Sequence, residues 1–151
     1  MLKGLDPRLN ADVLHALRAM GHGDTVIVAD ANFPADAVAR DTVHGRLLRI
    51  DGTVPGAVEA VLSVLPLDTF VDDFAARMEV GGDPDTPAPV QREVQDAIAA
   101  AGEARTMVGV ERFAFYDLAR RAYAVIQTTE RRFYGCIMLR KGVIASPAGD
   151  A

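Results

Sequence analysis

Residues 21–34 read GHGDTVIVADANFP, and the run Thr25-Val-Ile-Val-Ala-Asp30 at their centre decides the fold class. Four β-branched residues in succession favour extended backbone, and no polar residue interrupts the stretch from Val26 to Ala29. A strand that is apolar on both faces belongs inside a sheet covered by helices on either side. Asn32-Phe33-Pro34 ends it as a turn.

Working outward, the flanking segments alternate between helical and extended patterns. Asn10 suits the N-cap of a helix over residues 11–20, with Val13, Leu14, Leu17 and Met20 on one face and Gly21 in the C′ position. Residues 46–51, RLLRID, read as a short strand. Thr53 and Pro55 open a helix carrying Val58, Val61, Leu62 and Leu65, which Pro66 closes. Residues 81–89 form a loop. A further amphipathic helix follows, with Val90, Val94, Ile98 and Ala101 on one face and Gly102 behind it. Residues 111–123 are helical in pattern, with Phe115, Leu118, Ala119 and Ala122 as the apolar stripe. Segments 124–129 and 134–139 read as paired strands joined by a turn too polar for the core. This alternation predicts one α/β domain over residues 1–144, with a largely parallel sheet flanked by helices, and a flexible tail over 145–151.

Composition narrows the function classes. The net charge is −5, and basic residues cluster only as Arg120-Arg121, Arg131-Arg132 and Arg140-Lys141, which argues against nucleic acid as a partner. No window approaches the roughly 18 unbroken apolar residues of a membrane span, and MLKGLDPRLN lacks the apolar run of a secretory leader. Cys136 is the single cysteine, so no intrachain disulfide forms. That fits a reducing compartment, and the cytoplasm is the expected location. Three scattered histidines, with no CxxC or HExxH, predict no metal site.

Three places bear chemistry. In Gly21-His22-Gly23-Asp24 the glycines leave room around an imidazole, the side chain suited to exchanging protons near neutral pH. The same residues also read as a helix terminus with a solvated histidine. Asp30 lies at the carboxyl end of a strand, where α/β domains gather ligand groups. It reads equally as the cap of the turn at 32–34. Arg112 and Tyr116 share one rim of their helix, either as site residues or as edge residues covering the core. The third place is the segment from Thr129 to Gly135.

Taken together, MGHGD (20–24), VIVADANFPA (26–35), LPLDTF (65–70), RFAFYDLARRAYAVIQT (112–128), ERRFYG (130–135) and LRKGV (139–143) resemble the fucose mutarotase and ribose pyranase family, in its L-fucose mutarotase branch. The resemblance runs from about Met1 to Val143. It implies an enzyme, a monosaccharide isomerase that exchanges anomers by acid/base-assisted ring opening and closure, with no cofactor. It implies His22 as proton donor, with Tyr116 handling or positioning the other proton. Sugar contacts then fall on Asp30, Asp68, Arg112, Tyr134, Gly135 and Cys136. The family usually carries Asn where this chain has Cys136, and a thiol is a poor hydrogen-bond partner for a sugar. The resemblance also implies a ring-shaped homo-oligomer with sites between subunits. That suits the residues themselves, because the eight residues from His22 to Asp30 reach as much as about 26 Å if extended. L-fucose is the expected sugar, its methyl group packing near Phe115 or Phe133. The alternatives are a ribose pyranase and a non-catalytic sugar-binding subunit, and the second has no use for the proton donor in GHGD.

Overall fold

The computed structural model describes residues 1–148. Among them, a six-stranded sheet carries helices on both faces, as the central strand predicts. The elements are α1 (Ala11–Ala19), β1 (Thr25–Ala29), α2 (Ala35–Ala39), β2 (Leu48–Arg49), α3 (Val54–Leu62), β3 (Ala75–Met78), α4 (Pro89–Ala100), β4 (Val108–Val110), α5 (Arg112–Arg120), β5 (Ala124–Gln127) and β6 (Ile137–Arg140). The strand order is β2-β5-β1-β6-β3-β4. Five strands run one way, and β6 alone runs against its neighbours β1 and β3.

Side-chain alternation in the strands divides the core in two. Val26 and Val28 of β1 join α1, α3 and α4 in one cluster. Ile27 and Ala29 face the other way and pack with α2 and α5. Both faces of β1 are therefore dry, and all four residues from Val26 to Ala29 are fully buried. Burial on this scale contributes about 25 cal/mol per Å² of apolar surface removed from water.

Several local expectations change. Asn10 caps α1 by accepting from Val13 N at 3.0 Å. Its C-terminus, however, uses no left-handed Gly21: the Lys141 ammonium takes the carbonyls of Leu17 and Met20, and the positive φ of 87° falls at Gly23. The strand expected at 46–51 pairs only over Leu48–Arg49, at the sheet edge. Helix α3 ends at Leu62, before Pro66. Segments β5 and β6 do not pair with each other, because β1 lies between them. The turn joining them is not solvated throughout: Glu130 is 5% exposed. Residues 149–151 of the expected tail lie outside the described residues.

The end of β6 is pinned to the segment after α3. Lys141 bridges to Leu67, Asp68 N donates to Arg140 O at 3.0 Å, and Gly142 N donates to Pro66 O at 2.8 Å. A β-carbon on Gly142 would run into Leu67 O and come within 2.9 Å of Asp68 Cα. Both are backbone atoms, so the strand or the segment must move. Gly142→Ala is expected to lower stability by about 1–3 kcal/mol, the usual range for an overpacked site, read as an earlier urea midpoint with an unchanged slope.

Candidate functional site

The carboxyl ends of β1, β3 and β4 share one edge of the sheet, and the antiparallel β6 begins there. A cavity of about 320 Å³ opens at this edge, lined by Asp30, Asn32, Phe33, Met78, Arg112, Tyr116, Phe133, Tyr134 and Cys136. The topology thus brings together five of the sequence-derived candidates: Asp30, Arg112, Tyr116, Tyr134 and Cys136. Gly135 adjoins them through its N–H to Asp30.

Asp30 follows β1 and is 4% exposed. Its Oδ1 accepts from Asn32 N at 2.9 Å and Phe33 N at 3.0 Å. Its Oδ2 accepts from Gly135 N at 3.0 Å and the Cys136 thiol at 3.5 Å. An ionised carboxylate has about four acceptor positions, and all four are taken. Asp30 is thus the cap of the turn and the anchor of the 134–136 segment at once. Burial, then the Asp30 charge, pushes the Cys136 thiol well above its ordinary range. It remains protonated at neutral pH and donates.

Tyr116 lies one helical turn beyond Arg112 on α5. Glu111 caps that helix by accepting from the N–H groups of Phe113 and Ala114. The Tyr116 ring stacks on Phe33, with centroids 5.4 Å apart and planes 19° from parallel. Arg112 Nη2 comes within 3.5 Å of the Tyr116 hydroxyl, and that contact holds the guanidinium still more firmly charged. Tyr134 closes the far wall. It has φ 63°, the only positive φ outside glycine among the described residues. Its hydroxyl accepts from Gly81 N at 3.0 Å.

His22 and Asp68 are not in this cavity. His22 precedes β1 and Asp30 follows it, so the five-residue strand separates them by about 16 Å of rise. His22 Nε2 lies 3.0 Å from Asp68 Oδ2, and the ring meets Phe70 edge-on with centroids 5.8 Å apart. Asp68 is buried and also accepts from Phe70 N. A carboxylate only accepts, so this contact selects the form of His22 that carries a hydrogen on Nε2. The His22 side chain is 47% exposed.

Phe33 and Met78 line the cavity although the sequence assigns neither a site role. Phe33 reads only as part of a turn, yet its ring sets the plane of Tyr116. Phe115, expected near the sugar, is fully buried under α5 and does not reach the cavity. Phe133, at 75% exposure, sits at its mouth. Among the described residues no cluster of His, Cys, Asp or Glu is arranged to hold a metal ion, and no helix is long and apolar enough to cross a membrane.

Residues 3–144 match the RbsD / FucU transport protein family. A human fucose mutarotase is 43% identical over 148 residues, 95% of each chain. A solved structure described as a putative sugar binding protein is 59% identical and superposes with a TM-score of 0.93, covering 96% of this chain and 97% of the other. The fucose mutarotase of Streptococcus pneumoniae, solved in complex with L-fucose, is 32% identical with a TM-score of 0.85. That likeness covers 95% of this chain and all of the other.

An ion-pair network at the buried Glu130, in the segment leading to Tyr134, titrates. Glu130 pairs with Arg132, which also grips Glu93 on α4, and accepts from Val54 N at the start of α3. The Arg132 guanidinium brings the Glu130 carboxyl down from 4.5 to about 2. A depressed folded value stabilises above the ordinary range and is lost as pH falls through the folded value. Glu130→Gln therefore lags wild type in unfolding free energy above pH 4.5, and the gap closes toward pH 2. Urea titrations at about pH 7, 5 and 3 read this, and a gap independent of pH would refute it.

Proposed function

The chain belongs to the RbsD / FucU family, and we propose that it is an L-fucose mutarotase, an isomerase interconverting the α and β anomers of the free sugar. The observation that carries the reading is the cavity wall formed by Arg112, Tyr116 and Tyr134 at the sheet's carboxyl edge, in a chain similar over nearly its whole length to fucose mutarotases.

Anomer exchange needs two proton movements. One proton reaches the ring oxygen and another leaves the anomeric hydroxyl, so the C1–O5 bond breaks and a free aldehyde forms. Rotation about C1–C2 and reclosure on the other face give the second anomer, with the protons moving in reverse. No electron leaves the sugar, so the reaction calls for no cofactor. His22 supplies the ring-oxygen proton, with Asp68 orienting it. Tyr116 exchanges or positions the other, beside the Arg112 charge. Arg112 and Tyr134 hold hydroxyls at the cavity rim. Asp30 shapes the wall more than it grips sugar. A hydroxyl reaches it by displacing the weak Cys136 thiol bond, with Gly135 and Cys136 bounding that place. Phe133 offers an apolar face to the 6-methyl group.

One chain separates His22 from Tyr116 by the length of β1, so the complete site takes His22 and Asp68 from a second subunit. Support comes from exposed aromatic rings at both ends. Phe70 is 71% exposed beside His22, and Phe113 and Phe133 are 69% and 75% exposed beside the cavity. Stacking these ends head to tail and closing the rotation gives a ring. We assign such an enzyme to the cytoplasm, a reducing compartment that its single free thiol suits.

Exchange spectroscopy on L-fucose and D-ribose tests the activity, with the faster exchange expected for L-fucose. His22→Ala is expected to lose about 10²- to 10⁴-fold while keeping its fold. Co-expressing it with Tyr116→Phe tests the shared site. Each variant alone is slow, and a one-to-one mixture regains on the order of a quarter of wild-type activity, since a quarter of interfaces unite two intact halves. A mixture as slow as its parents refutes the shared site, and wild type that leaves both sugars' anomers unexchanged refutes the activity.

A further inference from the structure

Helix α4 lies on the sheet face opposite the cavity's α5, yet one of its side chains reaches the cavity wall. Gln91 is fully buried, and its position in an amphipathic helix gives no hint of that. A buried primary amide is tolerated only when its donors and acceptor are met. Gln91 Oε1 accepts from Ala88 N at 3.0 Å. Its two Nε2 hydrogens go to Met78 O at 2.7 Å and Tyr134 O at 2.9 Å. Met78 and Tyr134 both line the cavity.

The peptide joining Tyr134 to Gly135 is consequently gripped at both ends. Gln91 holds its carbonyl and Asp30 its N–H. A residue with a β-carbon disfavours the left-handed backbone that Tyr134 adopts. A glycine-like bend is thereby imposed on a tyrosine, and its ring stands across the cavity with the hydroxyl on Gly81 N. The hydroxyl lies close against Gly81, where an added β-carbon would come within 3.1 Å of it.

We propose that Gln91 is a positioning residue for the reaction: from outside the cavity, its amide sets the Tyr134 backbone and so the direction of the Tyr134 hydroxyl toward the sugar. The helix on the far side of the sheet thereby tunes the site, and substitutions at position 91 alter turnover without touching substrate.

This inference rests on the sugar-exchange reading, so its test includes a readout that does not. Gln91→Met keeps the length and packing of the side chain and removes the amide. In that variant the Gly81 amide is expected to shift in the NMR spectrum and lose hydrogen-exchange protection. The Met107 amide, bonded to Gln95 of the same helix, keeps both. L-fucose exchange is expected to fall about 10- to 100-fold, more in kcat than in KM. Adding Gln91→Met to Tyr134→Phe is expected to slow that variant by less than about twofold, because the two act through one group. Equal fold losses in both backgrounds, or an unmoved Gly81 amide, overturn the proposal. Gln91→Asn shortens the reach by one methylene and replaces Gln91→Met in every comparison if the latter does not fold. Wild type without L-fucose exchange removes the activity reading and leaves the Gly81 amide to decide the role of Gln91.

Discussion

The walls of the cavity depend on one buried carboxylate. Asp30 ends the strand at the heart of the sheet and collects four donors from two separate segments. Its Oδ1 folds residues 31–33 into the turn that lays Phe33 against Tyr116. Its Oδ2 draws in Gly135 and Cys136, which fixes the Tyr134 peptide from one side. Leaving a buried donor or acceptor unmatched costs about 1–3 kcal/mol, and more for a charge. A carboxylate with all four positions engaged is therefore a rigid joint. Residues 105 apart in sequence are tied by a single side chain.

The direction of the strands explains why one chain carries its candidate residues at two opposite edges of the sheet. Five strands present their carboxyl ends to one edge, where Asp30, Met78 and the start of α5 gather. The antiparallel β6 delivers Tyr134 to that edge at its beginning and Lys141 to the opposite edge at its end. Lys141 and Gly142 there fasten the segment bearing Asp68, and Asp68 orients His22. The same strand thus organises both groups of residues while keeping them a strand's length apart. On the proposed reading His22 and the cavity, set at opposite ends of the sheet, meet through a second copy, with the exposed rings of Phe70 and Phe133 on the surfaces that would touch.

Much of the fold was legible in the residues because its signals are local. The run from Thr25 to Ala29, the Asn10 and Thr53 caps and the apolar stripes of α3, α4 and α5 each follow from short-range chemistry. Strand β3 was not legible: Ala75-Ala-Arg-Met78 has weak strand character, and only pairing with β4 and β6 makes it extended. The β5–β6 pairing misled for a related reason, since adjacency in sequence does not show that β1 comes between them. Five candidate site residues meet in the cavity because motif and strand end coincide there. Glu130 and Gln91 were hidden by their polarity. Each is buried through partners far away in sequence, Val54 and Glu93 in one network and Met78 and Tyr134 in the other, and no periodicity records such partners.

Hidden polar groups of this kind also bear on what the cavity can do. Ring opening of a free sugar needs donors and acceptors that stay put while a small ligand turns over beside them, because proton transfer falls steeply once groups drift from hydrogen-bond reach. Tyr116 is stacked on Phe33, Tyr134 is bonded at its carbonyl and hydroxyl, and the Asp30 carboxylate is saturated. The loosest polar contacts at the cavity are the 3.5 Å approach of Arg112 to Tyr116 and the 3.5 Å thiol bond of Cys136. In the proposed reaction those are the contacts a sugar hydroxyl would displace at least cost, since a weak bond exchanged for a stronger one favours binding. On the proposed reading the cavity is thus rigid where geometry is set and weak where a sugar would bind.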